Sequence, residues 1–384
     1  FGEGFLNGSQ RYIVEQQLDI TFDQSKVTFT VDEKTENRSA YVSNTLNQIG
    51  AKGVFRSSLR TDNTNDKDFY VLDGLRNNLV KEMHGELYNF QITDVKAPYF
   101  IQNISRESAN VHDISIKKAC FGGGQNYDQK TSGGFAEKMD GGVITNCYID
   151  DATIYGNGFI KEISNDIRIE NCGIKNATIS GNGVAEKIDI NSKKVDDKEQ
   201  DYISNFSIEN AVINKNGFAQ EITKGQIRKS TITKTKIEKT GFAETISAGT
   251  YDECSITDAE IGENGFANTV SSGEFTNCTI TNAKVNNNGF AETIAGTYEK
   301  CKITNALIGE NGFAKNSTAS LSECGIFADA SAFSDQETDR YYAKYYRPLD
   351  WNNNQKVIYN YTVIGTVIDN GKMRPQEEDV AGFI

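Results

Sequence analysis

Polar and apolar residues alternate along this chain in a block that keeps returning. One copy reads Cys278-Thr279-Ile280-Thr281-Asn282-Ala283-Lys284-Val285, and the next, from Cys301, reads CKITNALI. Aligned on that block, the first place is held by Phe90, Ile114, Cys147, Cys172, Phe206, Ser230, Cys254, Cys278, Cys301 and Cys324. Two places later stands isoleucine without exception: Ile92, Ile116, Ile149, Ile174, Ile208, Ile232, Ile256, Ile280, Ile303 and Ile326. The sixth place is mostly alanine (Ala119, Ala152, Ala177, Ala211, Ala259, Ala283, Ala306) and the eighth is Ile or Val. Apolar first and third places between polar neighbours make a strand buried on one face. From third to sixth place the alternation breaks and Asn or Asp precedes the small residue. That predicts a bend into a second short strand.

A Gly-Phe-Ala-Glu-x-Ile stretch precedes each block and predicts a third strand with Phe and Ile turned inward. Its glycines fall at 134, 158, 183, 217, 241, 265, 289 and 312, with spacings of 24, 25, 34, 24, 24, 24 and 23. Three short strands and three corners rich in Gly, Asn and Ser, in a fixed period near 24, describe one turn of a parallel β-helix. Stacked turns place like residues over like, so each column becomes a ladder through the core. A helical repeat fails on the β-branched content and on the Gly and Asn in every period. A propeller blade needs about 40 residues. Burying each isoleucine contributes roughly 1.5–3 kcal/mol, so one column alone is a sizeable core. Proline removes a ladder hydrogen bond, and of Pro98, Pro348 and Pro375 only Pro98 stands at a corner of a regular turn.

The expected fold class is all-β: a right-handed parallel β-helix (solenoid) with a few loop insertions and a short helix near 335–346. Residues 1–73 read as an irregular β-rich part or decoration, in which LDITFDQ and KVTFTVDE look like paired strands joined around Asp23 to Lys26. Regular turns are expected over 74–331, with Gly74-Leu75 and Leu79 matched to the Gly-Phe strand. Residues 122–133 and 190–201 are polar excursions, 332–357 form an aromatic-rich insertion, and 358–384 resume the register. The chain reads as a piece of a longer solenoid, a rod of roughly 50–60 Å for about 11 or 12 turns at ~4.8 Å.

The formal net charge is −13. It argues against nucleic acid and anionic membrane as partners, and no apolar run is long enough for membrane insertion. Six of the seven cysteines fall in the first column. Adjacent in-register thiols point the same way, so an S–S bond would distort the turn; they read as buried free thiols. Cys120 lies outside that ladder and is the candidate reactive thiol. This usage disfavours a disulfide-stapled module, and it permits both a surface protein of an anaerobe and a cytosolic protein.

β-Helices also house polysaccharide lyases and glycosidases, which need acids and bases gathered on one face. Asp151 shares its column with Asn176, Asn210, Asn282 and Asn305, so a corner-capping role is expected for it rather than catalysis. Asp196-Asp197, among Lys193, Lys194 and Lys198, reads as a solvated loop. His84 and His112 lie in different turns without a Glu-x-x-His partner, against a zinc site. Glu137, Glu186, Glu244 and Glu292, with Gln102 and Gln220, form a solvated stripe. Thr231/Thr233 and Thr279/Thr281 give Thr-x-Thr pairs, but charged neighbours interrupt them, against an ice-binding array. No catalytic residue, metal or cofactor is expected. The candidate ligand-binding residues are Tyr341, Tyr342, Tyr345, Tyr346, Arg347 and Trp351, because aromatics beside charge suit sugar stacking or a protein hot spot.

The Gly-Phe-Ala strand, the x-Asn-Cys-x-Ile strand and the Asn-Gly corners resemble the GLUG-type β-helical repeats of large bacterial surface proteins. The resemblance covers about residues 74–331 and 359–384, with Gly-Phe-Ala-Glu standing where those repeats usually carry Gly-Leu-Val-Gly. Such repeats also occur in the non-catalytic region of IgA-specific zinc metalloproteases. This chain has no His-Glu-x-x-His, so no catalytic residue carries over. The resemblance implies surface display and binding. The expected function is a non-catalytic stalk or binding segment of a secreted or surface-displayed bacterial protein, adhesin-like and monomeric. It would present its loops to a host or matrix glycan or protein. A carbohydrate-active enzyme and an intracellular effector or scaffold are the alternatives.

Overall fold

The structure is a computed structural model that describes residues 77–122, 133–191 and 202–327, with short segments between 12 and 75, at 194–195 and 198–199, and at 367–369 and 372–374. Every element among these residues is a strand. The chain divides into two units, Phe1–Glu186 with Ile190–Tyr202, and Lys187–Asp189 with Ile203–Ile384. Each is built of parallel strands stacked turn on turn as a β-solenoid. The helix expected near 335–346 falls outside the described residues.

In the second unit one turn comprises Ala243–Ile246, Thr250–Asp252, Ser255–Thr257 and Glu260–Ile261. That is four short strands where the sequence pattern predicts three. The extra one, Thr250–Asp252, places Tyr251 inside; a three-residue alternation is too short to stand out from a turn. Each strand pairs in register with its copy one period on, as in Ile256↔Ile280 and Ile280↔Ile303. Phe218, Phe242, Phe266, Phe290 and Phe313 therefore stack with centroids 4.5, 4.5, 4.7 and 4.9 Å apart. Tyr251, Phe275 and Tyr298 form a second stack at 4.6 and 4.5 Å, edge-on to the first. Offset-stacked and edge-to-face rings are the geometries that the aromatic quadrupole favours.

The first unit has longer strands: Glu86–Ala97, Asn110–Phe121 and Gly134–Ile154. They carry the same columns, with Ile92, Ile116, Ile149 and Ile174 in one register. The register corrects two expectations. Val80 pairs with Ile101 and the Leu79 amide donates to the Phe100 carbonyl, so Leu79 stands in the phenylalanine column with Asn78, not Gly74-Leu75, before it. Leu75 instead accepts from the Lys96 amide, beneath Val95. In the N-terminal part, Ile20–Phe22 pairs antiparallel with Leu46–Ile49, and Thr30–Val31 with Ala40–Tyr41. LDITF and KVTFTV are therefore not partners. Leu46–Ile49 is itself paired parallel to Val80–Met83, and its other edge is what Ile20–Phe22 fills.

Each turn from Glu86 to Ile308 contains two corners in the left-handed region, one before the cysteine column and one before the alanine column. Asn171 and Asn176, Asn277 and Asn282, and Lys300 and Asn305 have φ of 51–53°. Left-handed backbone costs an L-residue roughly 1–2 kcal/mol and asparagine tolerates it best, which explains the Asn-Cys and Asn-Ala pairs. The Asn-Gly glycines have a different cause. Gly265 is not left-handed; a Cβ there would lie within the Gly289 carbonyl, and one on Gly241 within that of Gly265. Gly249, at the Ala-Gly corner, does need its φ of 124°. The preceding asparagines turn inward as a buried polar ladder: Asn182 Nδ2 donates to Asn157 Oδ1 at 2.8 Å, and Asn288 to Asn264 at 2.7 Å.

Candidate functional site

With the interior filled by ladders, chemistry is left to outward columns. The richest outward face among the described residues is on the first unit, where Asn110–Phe121 lies between Glu86–Ala97 and Gly134–Ile154. Parallel register sets Tyr88, His112 and Thr145 in one column and Gln91, Ser115, Tyr148 and Gly173 in another. Asp113 and Asn146 hold left-handed corners, which tip their side chains out beside those columns.

His112 stacks on Tyr88 with centroids 4.6 Å apart and planes 10° from parallel. Its Nδ1 is 2.7 Å from Asp113 Oδ2 and its Nε2 is 3.2 Å from Glu86 Oε1. Asn146 Nδ2 donates to Asp113 Oδ1 at 3.0 Å, and Asn110 Nδ2 to Glu86 Oε1 at 3.3 Å. Both ring nitrogens donate only when the imidazole is doubly protonated; the neutral ring gives up one carboxylate. The arrangement holds and orients the ring. The histidine side chain is 21% exposed and its two carboxylates 38% and 39%, so solvent reaches the group.

Tyr148 is 44% exposed. Its neighbours in the column are Ser115 and Gly173, so the ring rises above small residues on either side. Partial burial, with the Cys172 and Cys147 thiols nearby, lifts its phenol above the usual value; it stays a neutral donor and acceptor at physiological pH. Asp150, two residues on, accepts from Asn176 Nδ2 at 2.8 Å.

Of the residues the sequence singled out, Asp151 is a left-handed corner with φ 56°. His84 has other partners, its Nδ1 3.1 Å from Gln48 Nε2 and its Nε2 3.8 Å from Glu82. Among the described residues no group of three or more His, Cys, Asp or Glu gathers as metal ligands do. Gln102 donates to Glu137 at 3.3 Å and Lys315 to Glu292 at 3.2 Å, ordinary surface pairs. Of the excursion at 190–201, Lys194–Val195 and Lys198–Glu199 form an antiparallel pair. Tyr341, Tyr342, Tyr345, Tyr346, Arg347 and Trp351 lie outside the described residues.

The six ladder cysteines are free and buried. Cys278 donates to the Tyr251 carbonyl at 3.5 Å and Cys301 to that of Phe275 at 3.4 Å. Burial pushes the Cys147 and Cys278 thiols well up, and a hydrogen bond with Cys301 together with burial does the same to Cys324. Burial penalises a thiolate at Cys301 too, but S–H groups of Cys278 and Cys324 would donate to it. Cys120 points away from the ladder, between Lys96 and Thr153, and is partly exposed.

The His112 group escapes a reading by local motifs because Glu86 is 26 residues away. The signal was the period: one turn back from His112 is Tyr88, and Glu86 is two residues before it on the same face.

Among the described residues no helix is long and apolar enough to cross a membrane. The class defined by this geometry is a parallel β-solenoid with a tyrosine and a histidine–carboxylate group on its outer face. Comparison with models of known protein families, with curated proteins and with solved structures gives no match to this chain.

Proposed function

We propose that this chain is a non-catalytic stalk or binding segment of a secreted or surface-displayed bacterial protein, and that the outer face of the first unit takes its ligand, a host or matrix glycan or protein. The observation that carries this reading is Tyr148, an exposed ring with Ser115 in its own column and hydrogen-bonding groups of Lys117, Asn146 and Asp150 in neighbouring columns. An aromatic face beside polar groups offers stacking and directional bonds together. The resemblance to GLUG-type repeats supports the same reading. The test is a screen of immobilised glycans and matrix proteins. A ligand is expected that Tyr148→Ala weakens about tenfold or more, the loss of roughly 1.4 kcal/mol, with the melting temperature unchanged. Binding indifferent to Tyr148→Ala overturns the placement.

The His112 group favours a second reading, a carbohydrate-active enzyme using the imidazole and a carboxylate as acid and base. New reducing ends from an acidic polysaccharide, lost in His112→Gln, would establish it. Their absence across a polysaccharide panel leaves the binding reading in place.

A further inference from the structure

One seam of the second unit is matched by charge. The turn at 226–239 carries Arg228, Lys229, Lys234, Lys236 and Lys239 on its outside; the turn stacked on it carries Asp252, Glu253, Asp258, Glu260 and Glu263. Every member of the first set stands one period before its counterpart in the second, and Lys236 and Lys239 also reach Glu238 and Glu244, 3.3 and 3.4 Å away. Arg228 pairs with Asp252 and Lys236 with Glu260 in strand register. Thr233 pairs with Thr257, which brings Lys234 and Asp258 together as the next residues, both left-handed. The Lys229 amide donates to the Asp252 carbonyl at 2.8 Å, and the Glu263 amide to the Lys239 carbonyl at 3.0 Å, which fixes the other two pairs.

The neighbouring seams lack this pattern. In the seam above, the same acidic positions face Thr276, Asn277, Asn282, Lys284 and Asn287, with one opposite charge among them. In the seam below, Ser204, Asn205, Asn210, Val212 and Lys215 face the basic set, and Lys215 opposes Lys239 with like charge. The interior is also different here. Ser230 occupies the cysteine column, Thr235 the alanine column and Thr240 the asparagine column, all buried. Their hydroxyls turn to Arg228 O, Thr233 O and Asn216 Oδ1. Both left-handed corners here are lysines, Lys229 and Lys234, whereas every other turn with both corners described has an Asn or Asp at one of them at least. This turn gains least from its core and its corners.

We propose that the charge-matched seam between 226–239 and 250–263 fixes which turn stacks on which at the point where the core specifies it least, and that it is the salt-sensitive joint of the second unit. A solenoid of like turns can mis-stack by a whole period, since every ladder survives the slip. Such a slip at this seam would leave the basic set facing neutral residues or lysine, a penalty that the interior columns do not impose. Exposed pairs are individually weak and screened by salt, so the effect rests on all five acting together.

The experiment is hydrogen exchange on the whole chain, read at amides that cross the seam (Lys229, Lys234, Ser255, Glu260 and Glu263) and at amides that cross the next one (Glu253, Asp258, Thr279, Lys284 and Asn287). Raising salt from 0.05 to 1 M should accelerate the first set about tenfold and leave the second nearly unchanged, because screening removes only contacts between exposed charges. The triple variant K229E/K234E/K236E should accelerate the first set at low salt. Adding E253K/D258K/E260K to it should restore protection. Equal salt response at both seams, or no rescue by the reciprocal reversal, overturns the proposal. Should the triple variant not fold, the wild-type salt comparison decides alone.

Discussion

The two units use one set of columns under different discipline. Among the described residues of the second, turns repeat every 23 or 24 residues, strands are two to six residues long, and the phenylalanine column is unbroken. In the first, Leu79, Phe100, Phe135, Phe159 and Val184 share that column at uneven spacing, and strands run through the corners for up to 21 residues. Regularity in the second unit maximises stacking of like on like. Irregularity in the first brings unlike residues together, and that is where the His112–Glu86 group and, in a separate column, Tyr148 stand on the outside. A repeat builds the scaffold, and departures from it create places where chemistry can differ from turn to turn.

The largest effect that would break this contrast is in the ring stacks. Phe266 is stacked between two rings at 4.5 and 4.7 Å, whereas Phe100 has one tilted neighbour at 5.2 Å. Phe266→Ala should cost about 3–5 kcal/mol in urea unfolding, and Phe100→Ala about 1 kcal/mol less, the value of a ring pair. Equal losses would mean that stacking order contributes nothing beyond burial. The units should agree at their close-approach glycines. Gly265→Ala and Gly158→Ala both drive a Cβ into the carbonyl of the next turn, and each should cost about 2–3 kcal/mol.

Alkaline pH sharpens the comparison next. A buried thiol with its folded pKa raised stays protonated while the unfolded chain ionises, so its contribution is complete below about pH 8.5 and is lost as pH rises beyond that. The second unit, where burial raises Cys278, Tyr251 and Tyr298 and a hydrogen bond together with burial raises Cys324, should lose stability with pH more steeply than the first, where burial raises Cys147 and Tyr148. Chemical denaturation at pH 7 and 10 measures the difference, and Cys278→Val should flatten the slope by about one proton. The smallest effect concerns corners. Asn282 has φ 51°; Asn282→Ala should cost about 1 kcal/mol and Asn282→Gly close to nothing, read as a shift in urea midpoint.

Most of the scaffold was legible in the sequence because a buried column repeats its chemistry. Ile at the third place and Phe after Gly announce an inward direction at every period. The Tyr251, Phe275 and Tyr298 column was not legible, since three residues of alternation beside a glycine read as a turn. The Asn-Gly pairs were legible as corners but not as a buried ladder with a glycine beneath a carbonyl, because asparagine favours turns and interiors of hydrogen-bonded repeats alike. The His112 group was invisible to motif reading, as its partner comes from the turn before. The five charge pairs were written in the sequence at a constant offset of 24 and show only when one turn is laid over the next.

The central claim is that residues one period apart, 24 or 23 positions, lie over one another on a parallel stack. Thr233, Thr257, Thr281 and Thr304 form one outward column, and nitroxides placed on Thr233 with each of the others in turn measure it directly, with Cys120 replaced by serine. The account predicts backbone separations growing in equal steps of about 4.8 Å, near 5, 10 and 14 Å. Separations that fail to increase steadily, or that place Thr304 nearer to Thr233 than Thr281 is, would contradict it.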